Sequence, residues 1–202
     1  MATTPAQTDA PPVRRPRGRP RYPRVEGVVL GATRDLLLER GFGKLTIAAV
    51  ADAAGVGKGT IYLRWPDKES LVVGALADVW TPIGDPDTGT LRGDLMSMMK
   101  EITGQLNGKP GKLLVSVIGE MARHDELRSM WQANVVDPWG VVFAAIFERG
   151  VERGEMRPGL DLTTAIEALV GPTLGIAGTR GQKVTPKQAE TFVDIFLNGV
   201  SA

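Results

Sequence analysis

Cysteine is absent from the chain, histidine occurs once, and aromatic side chains make up only 5% of its 202 residues. The first absence excludes disulfides, thiolate metal centres and cysteine nucleophiles. The lone histidine, His124, stands beside Asp125 and Glu126 at an expected helix start. It reads as a surface or capping residue, so no metal site and no cofactor are expected. No run of about eighteen apolar residues occurs, which argues against a membrane span. The first residues lack the apolar stretch of a secretory signal, and a cytoplasmic location fits. No enzyme constellation appears and nothing favours a Ser/His/Asp triad, so no enzyme activity is expected.

What is present is an uneven charge. The formal net charge is +1, but residues 1–24 hold six arginines and one aspartate, residues 25–70 are neutral, and residues 71–202 carry −4. A cationic arm on a neutral-to-acidic body points to a polyanionic partner. The arm also holds six of the fourteen prolines up to Pro23 and almost nothing apolar, a composition that cannot form a packed core.

Beyond the arm the apolar residues recur at helical spacing. Val25, Val28, Val29, Ala32, Leu36 and Leu37 mark one face of a first helix, with Gly41 as its left-handed C-cap. Thr46 is a natural N-cap for a short helix that buries Ile47, Val50 and Ala51 and ends at Gly55. A second short helix follows and stops at Pro66, and Asp67 caps the next. The Pro/Gly/Asp-rich stretch 81–90 reads as a domain boundary. Later helices are expected over 91–106, 112–123, 126–154, 162–179 and 187–199, with Pro138 kinking or splitting the third. The fold class is therefore all-α: a basic arm over 1–22, a helix-turn-helix domain over 23–82, and a helical domain over 83–202, about nine helices in all.

Two short helices joined by a glycine turn are a helix-turn-helix, whose second helix enters the DNA major groove. With Ile61 and Trp65 on the buried face, Gly59 and Leu63 point outward, flanked by Thr60 and Tyr62. Lys58, Thr60 and Lys68 lie near helix N-termini that favour phosphate. Tyr62 can donate to a phosphate, Leu63 can meet a thymine methyl, and Arg64 can reach guanine or phosphate. Gly57 and Thr46 belong to the same edge. The "GVGKGT" stretch is not a phosphate-binding loop, because Gly59 follows Lys58 where Ser or Thr is required and Asp52 stands where the first Gly belongs.

The stretch "LTIAAVADAAGVGKGTIYLRWPDKESL", with the preceding Gly41-Phe42, resembles the DNA-binding domain of the tetracycline-repressor (TetR) family. Two positions depart from the family pattern: Gly57, where Ser is common, and Arg64, where His or Tyr is common. The resemblance implies a homodimer that binds double-stranded DNA at a palindromic operator, pairs through its last two helices, and is released by a small-molecule effector. Gly171, Gly175 and Gly178 would allow close helix approach there. Met99, Met121, Trp131, Trp139 and Phe143 are the candidate lining of an apolar effector pocket. The alternative is an architectural DNA-binding protein without an effector.

Within the arm, Pro16-Arg17-Gly18-Arg19-Pro20 resembles the core of the AT-hook. The prolines keep such a segment extended, and Arg17 and Arg19 suit a narrow minor groove. Simple phosphate attraction is the competing role for the same residues.

Overall fold

The computed structural model describes residues 22–200. Among the described residues every regular element is helical. α1 (Tyr22–Lys44), α2 (Ile47–Ala54), α3 (Lys58–Tyr62) and α4 (Lys68–Ala77) form the N-terminal part. α5 (Leu91–Leu106), α6 (Lys109–Met121), α7 (Asp125–Trp131), α8 (Asp137–Glu152), α9 (Leu162–Arg180) and α10 (Pro186–Val200) form the rest.

On α1 the buried stripe is Val29, Leu30, Thr33, Leu36 and Leu37, whereas Val28 is 49% exposed. Thr33 fits this apolar face because its hydroxyl donates to the Val29 carbonyl at 2.8 Å. Gly41 breaks the helix, but not as a left-handed cap. Its φ of 73° and ψ of 169° are extended, a conformation open to glycine and few others. The turn delivers Phe42 into the core.

The sequence predicts that Pro138 kinks or splits a helix over 126–154. Instead a π-helical turn, Gln132–Val136, joins α7 to α8 without a break. The Asp137 N–H bonds to the Gln132 carbonyl five residues back, and the Asn134 amide donates to the Met130 carbonyl at 2.7 Å. A proline lacks an N–H and crowds the carbonyl four residues earlier. The wider turn just before Pro138 absorbs both faults. Counted as one rod, α7–α8 brings the described helices to the expected nine.

Two apolar cores result. One runs from Leu37, Val50, Ile61 and Leu71 of the helix-turn-helix part through Trp80 to Val117 of α6 and Ile176 of α9. The other joins Leu95, Met98, Met99, Phe143, Phe147, Leu169 and Phe196. The first core continues across the level of the expected boundary at residue 82. At the α5–α6 turn a Cβ on Gly111 would lie 1.7 Å from the Leu106 carbonyl oxygen, so only glycine permits this approach.

Loop 81–90 is tied down by charge. Arg149 holds Asp85 and the Pro86 carbonyl at 2.7 Å each. Arg153 holds Asp87 at 2.6 Å and reaches the fully buried Asp94 at 3.4 Å. Asp94 also accepts from the Thr88 amide and hydroxyl, at 2.6 and 2.7 Å. The hydrogen bond from Arg153 keeps the Asp87 carboxyl below the usual range. Glu155 accepts from the Leu91 N–H at 2.6 Å and so caps α5. These residues hold the loop to the body.

Candidate nucleic-acid interface and interior cavity

α2, the turn at Gly55 and α3 form one rigid corner. Thr46 accepts from the Ala49 N–H at 3.1 Å and starts α2. Gly55, with φ 65°, ends it, and the Val56 N–H returns to the Ala51 carbonyl at 3.0 Å. Ile61 and Trp65 anchor α3 in the same core as Val50 and Ala51. The opposite side is open: Leu63 is 78% and Tyr62 52% exposed. Gly57, Lys58 and Gly59 are exposed as well, and Thr60 is half-buried. Gly57 caps α3 without a side-chain hydrogen bond, and of the first-turn amides the Thr60 N–H returns to the Gly57 carbonyl at 2.9 Å.

The three cations of this edge are not equivalent. Lys58 is exposed and has no ion pair among the described residues. Arg64 pairs with Glu26 of α1. The Lys68 ammonium sits 3.9 Å above the centre of the Phe42 ring and donates to the Phe42 carbonyl at 3.4 Å. Arg64 and Lys68, expected to face DNA, are thus held by groups of the chain itself. Arg17 and Arg19 lie outside the described residues.

A cavity of about 570 Å³ opens among α5, α6, α7–α8 and α9. Met121, Trp131, Trp139 and Phe143 line it. Met99 does not; it shares a face of α5 with the lining residues Ile102 and Leu106 but lies one to two turns earlier on the helix, where it is fully buried in the second core. Sequence reading missed Trp80, Ile118, Val135, Ile166 and Leu174, which complete the wall. The charged side chains of the lining are Asp137 and Glu167, and none is cationic. The Trp80 ring stands edge-on to Trp131 at 5.8 Å and to Trp139 at 5.3 Å. Its Nε1 is buried with no acceptor among the described residues.

A core-anchored short helix with an outward apolar-polar edge, preceded by a capped helix and a glycine turn, is a helix-turn-helix DNA-binding unit. Here it is built into an all-helical body with its own cavity. Residues 29–75 match the family model for bacterial regulatory proteins of the tetR family. Residues 85–196, more than half of the chain, match the tetracyclin repressor-like C-terminal domain. The chain belongs to the TetR family of helix-turn-helix transcriptional regulators, which are not enzymes. It is 28% identical over 187 residues to the HTH-type transcriptional regulator YdeS of Bacillus subtilis, covering 92% of this chain and 94% of that one. It is also 28% identical to the DNA-binding transcriptional repressor TetR of Mycobacteroides abscessus, over 74% of this chain and 82% of that protein. The crystal structure of the TetR family regulator SCO0332 superposes with a TM-score of 0.66 at 26% identity, covering 89% of this chain and all of that one. No helix among the described residues is long and apolar enough to cross a membrane.

Proposed function

We propose that the protein is a cytoplasmic, effector-released repressor that binds a palindromic operator as a homodimer. The observation that carries this reading is the placement of Trp80. It lies three residues beyond α4, belongs to the core of the helix-turn-helix part, and forms part of the cavity wall. A ligand in the cavity therefore touches the element that leads into the DNA-reading corner. In the binding state the two α3 helices stand about 34–36 Å apart, one turn of DNA. The ligand binds the other state better and shifts the population away from it.

Thr46, Gly57, Lys58, Gly59, Thr60, Tyr62 and Leu63 form the DNA edge in this reading, and Arg64 and Lys68 join once their internal partners give way. Pairing through α9 and α10 is supported by an apolar groove of about 500 Å³ between them, with Ile195 64% exposed. Gly175 and Gly178 leave open space on α9, which lets a second helix approach closely, whereas Gly171 lines the interior cavity. Repression is favoured by the Mycobacteroides abscessus relative, itself named a repressor.

Selection of bound fragments from random duplexes tests the reading. It should return a palindrome occupied by two chains, as sedimentation of the complex would show. One chain per site, or no preference over bulk DNA, would instead favour an architectural role.

A further inference from the structure

The cavity wall combines three features that together describe a ligand. Its inner part is aromatic, with the Trp80, Trp131 and Trp139 rings meeting edge to face and Phe143 beside them. Such walls favour flat rings. Its charged side chains, Asp137 and Glu167, are both exposed carboxylates, so the lining offers no cation to pair with an anionic ligand. Finally, Trp80 is 8% exposed, and its Nε1–H is a buried donor without an acceptor among the described residues. Buried donors are ordinarily satisfied, so an orphan on a cavity wall asks for a partner.

We propose that the cavity takes a flat, uncharged aromatic compound bearing one carbonyl- or ether-type acceptor, and that Trp80 Nε1–H donates to it. This rests on the reading of the cavity as the effector site. In the present state the nitrogen is covered, so an acceptor reaches it only when the side chains packed over it move. The hydrogen bond is therefore available to one conformation and denied to the other, which is the differential affinity a ligand needs to shift an equilibrium. Because Trp80 follows α4 closely, the rearrangement acts on the helix that leads into the DNA-reading corner.

The test uses three compounds of one shape: 2-acetylnaphthalene, 2-isopropylnaphthalene and 2-naphthoate. Equilibrium dialysis against the full chain should rank the ketone about tenfold above the hydrocarbon, as one buried hydrogen bond implies, with the carboxylate weakest. In Trp80→Phe the ketone and hydrocarbon should bind alike. A readout that needs no variant is the ¹⁵N-labelled indole spectrum of the four tryptophans. The ketone should move one Nε1–H resonance downfield and the hydrocarbon should not. Equal binding of ketone and hydrocarbon by the unaltered chain, or a ketone advantage kept in Trp80→Phe, would overturn the proposal while leaving the cavity as a binding site. Failure of both neutral compounds to bind would overturn the cavity reading itself.

Discussion

Arg64 stands just beyond α3 on the candidate DNA edge, yet its guanidinium pairs with Glu26 of α1. Both side chains are about two-fifths exposed, and exposed pairs contribute only about 0.2–1 kcal/mol. A phosphate can therefore displace Glu26, but the displacement costs binding. In a duplex of arbitrary sequence, Glu26→Gln should tighten binding up to about fivefold and steepen the salt dependence by about one phosphate. Arg64→Gln should change the unaltered protein by less than about twofold and abolish the gain in Glu26→Gln. Equal losses from Arg64→Gln in both backgrounds would show that Glu26 withholds nothing. Sequence reading places Arg64 among the candidate DNA contacts but has no way to find Glu26, which lies thirty-eight residues away. Ile61 and Trp65 were legible because helical period alone puts them on one face. Trp80 was not, since its role depends on two other helices bringing Trp131 and Trp139 against it.

At the scale of elements, the helices were legible and their joints were not. Caps announce themselves locally, as Thr46 and Asp67 do by accepting from backbone amides three residues on. The π turn before Pro138 is one of several local ways a helix can accommodate a proline, and the tethering of loop 81–90 depends on partners more than sixty residues away. That loop has a consequence for pH. Arg153 depresses the Asp87 carboxyl, and the Thr164 hydroxyl and amide depress that of Asp161 at the start of α9. A carboxyl with a lowered folded value stabilises the fold fully above its unfolded value. The contribution is lost as pH falls through the depressed folded value, so the window lies below about pH 4. Melting temperature should thus owe no pH dependence to these two groups between about pH 5 and 8 and should drop below about pH 4. Asp87→Asn should soften that acid drop and lower stability slightly at neutral pH. Thermal melts across the range decide it: an unchanged acid slope in Asp87→Asn would remove this loop from the account.

For the whole molecule, the distribution of charge assigns affinity and choice of site to different parts. The helix-turn-helix segment is neutral and the body is acidic, while the first twenty-one residues contribute five arginines against one aspartate. Of the cations on the candidate DNA edge, Arg64 and Lys68 are engaged internally, which leaves Lys58. On the proposed reading, long-range attraction to DNA comes chiefly from the arm, and the exposed Tyr62 and Leu63 are the side chains offered to the groove. Removing residues 1–21 should weaken binding most at low salt and flatten the salt dependence by about 0.9 for each phosphate the arm had neutralised. The preferred half-site should survive, because the α3 face is unchanged. Filter binding of the shortened and full chains, across salt concentrations and against a panel of half-site variants, separates the two effects. A shortened chain that kept its salt slope would place the phosphate-binding cations on the body. A shortened chain that lost its choice among A·T-rich flanks would make Pro16-Arg17-Gly18-Arg19-Pro20 a reader of the minor groove, with Arg17 and Arg19 supplying specificity as well as charge.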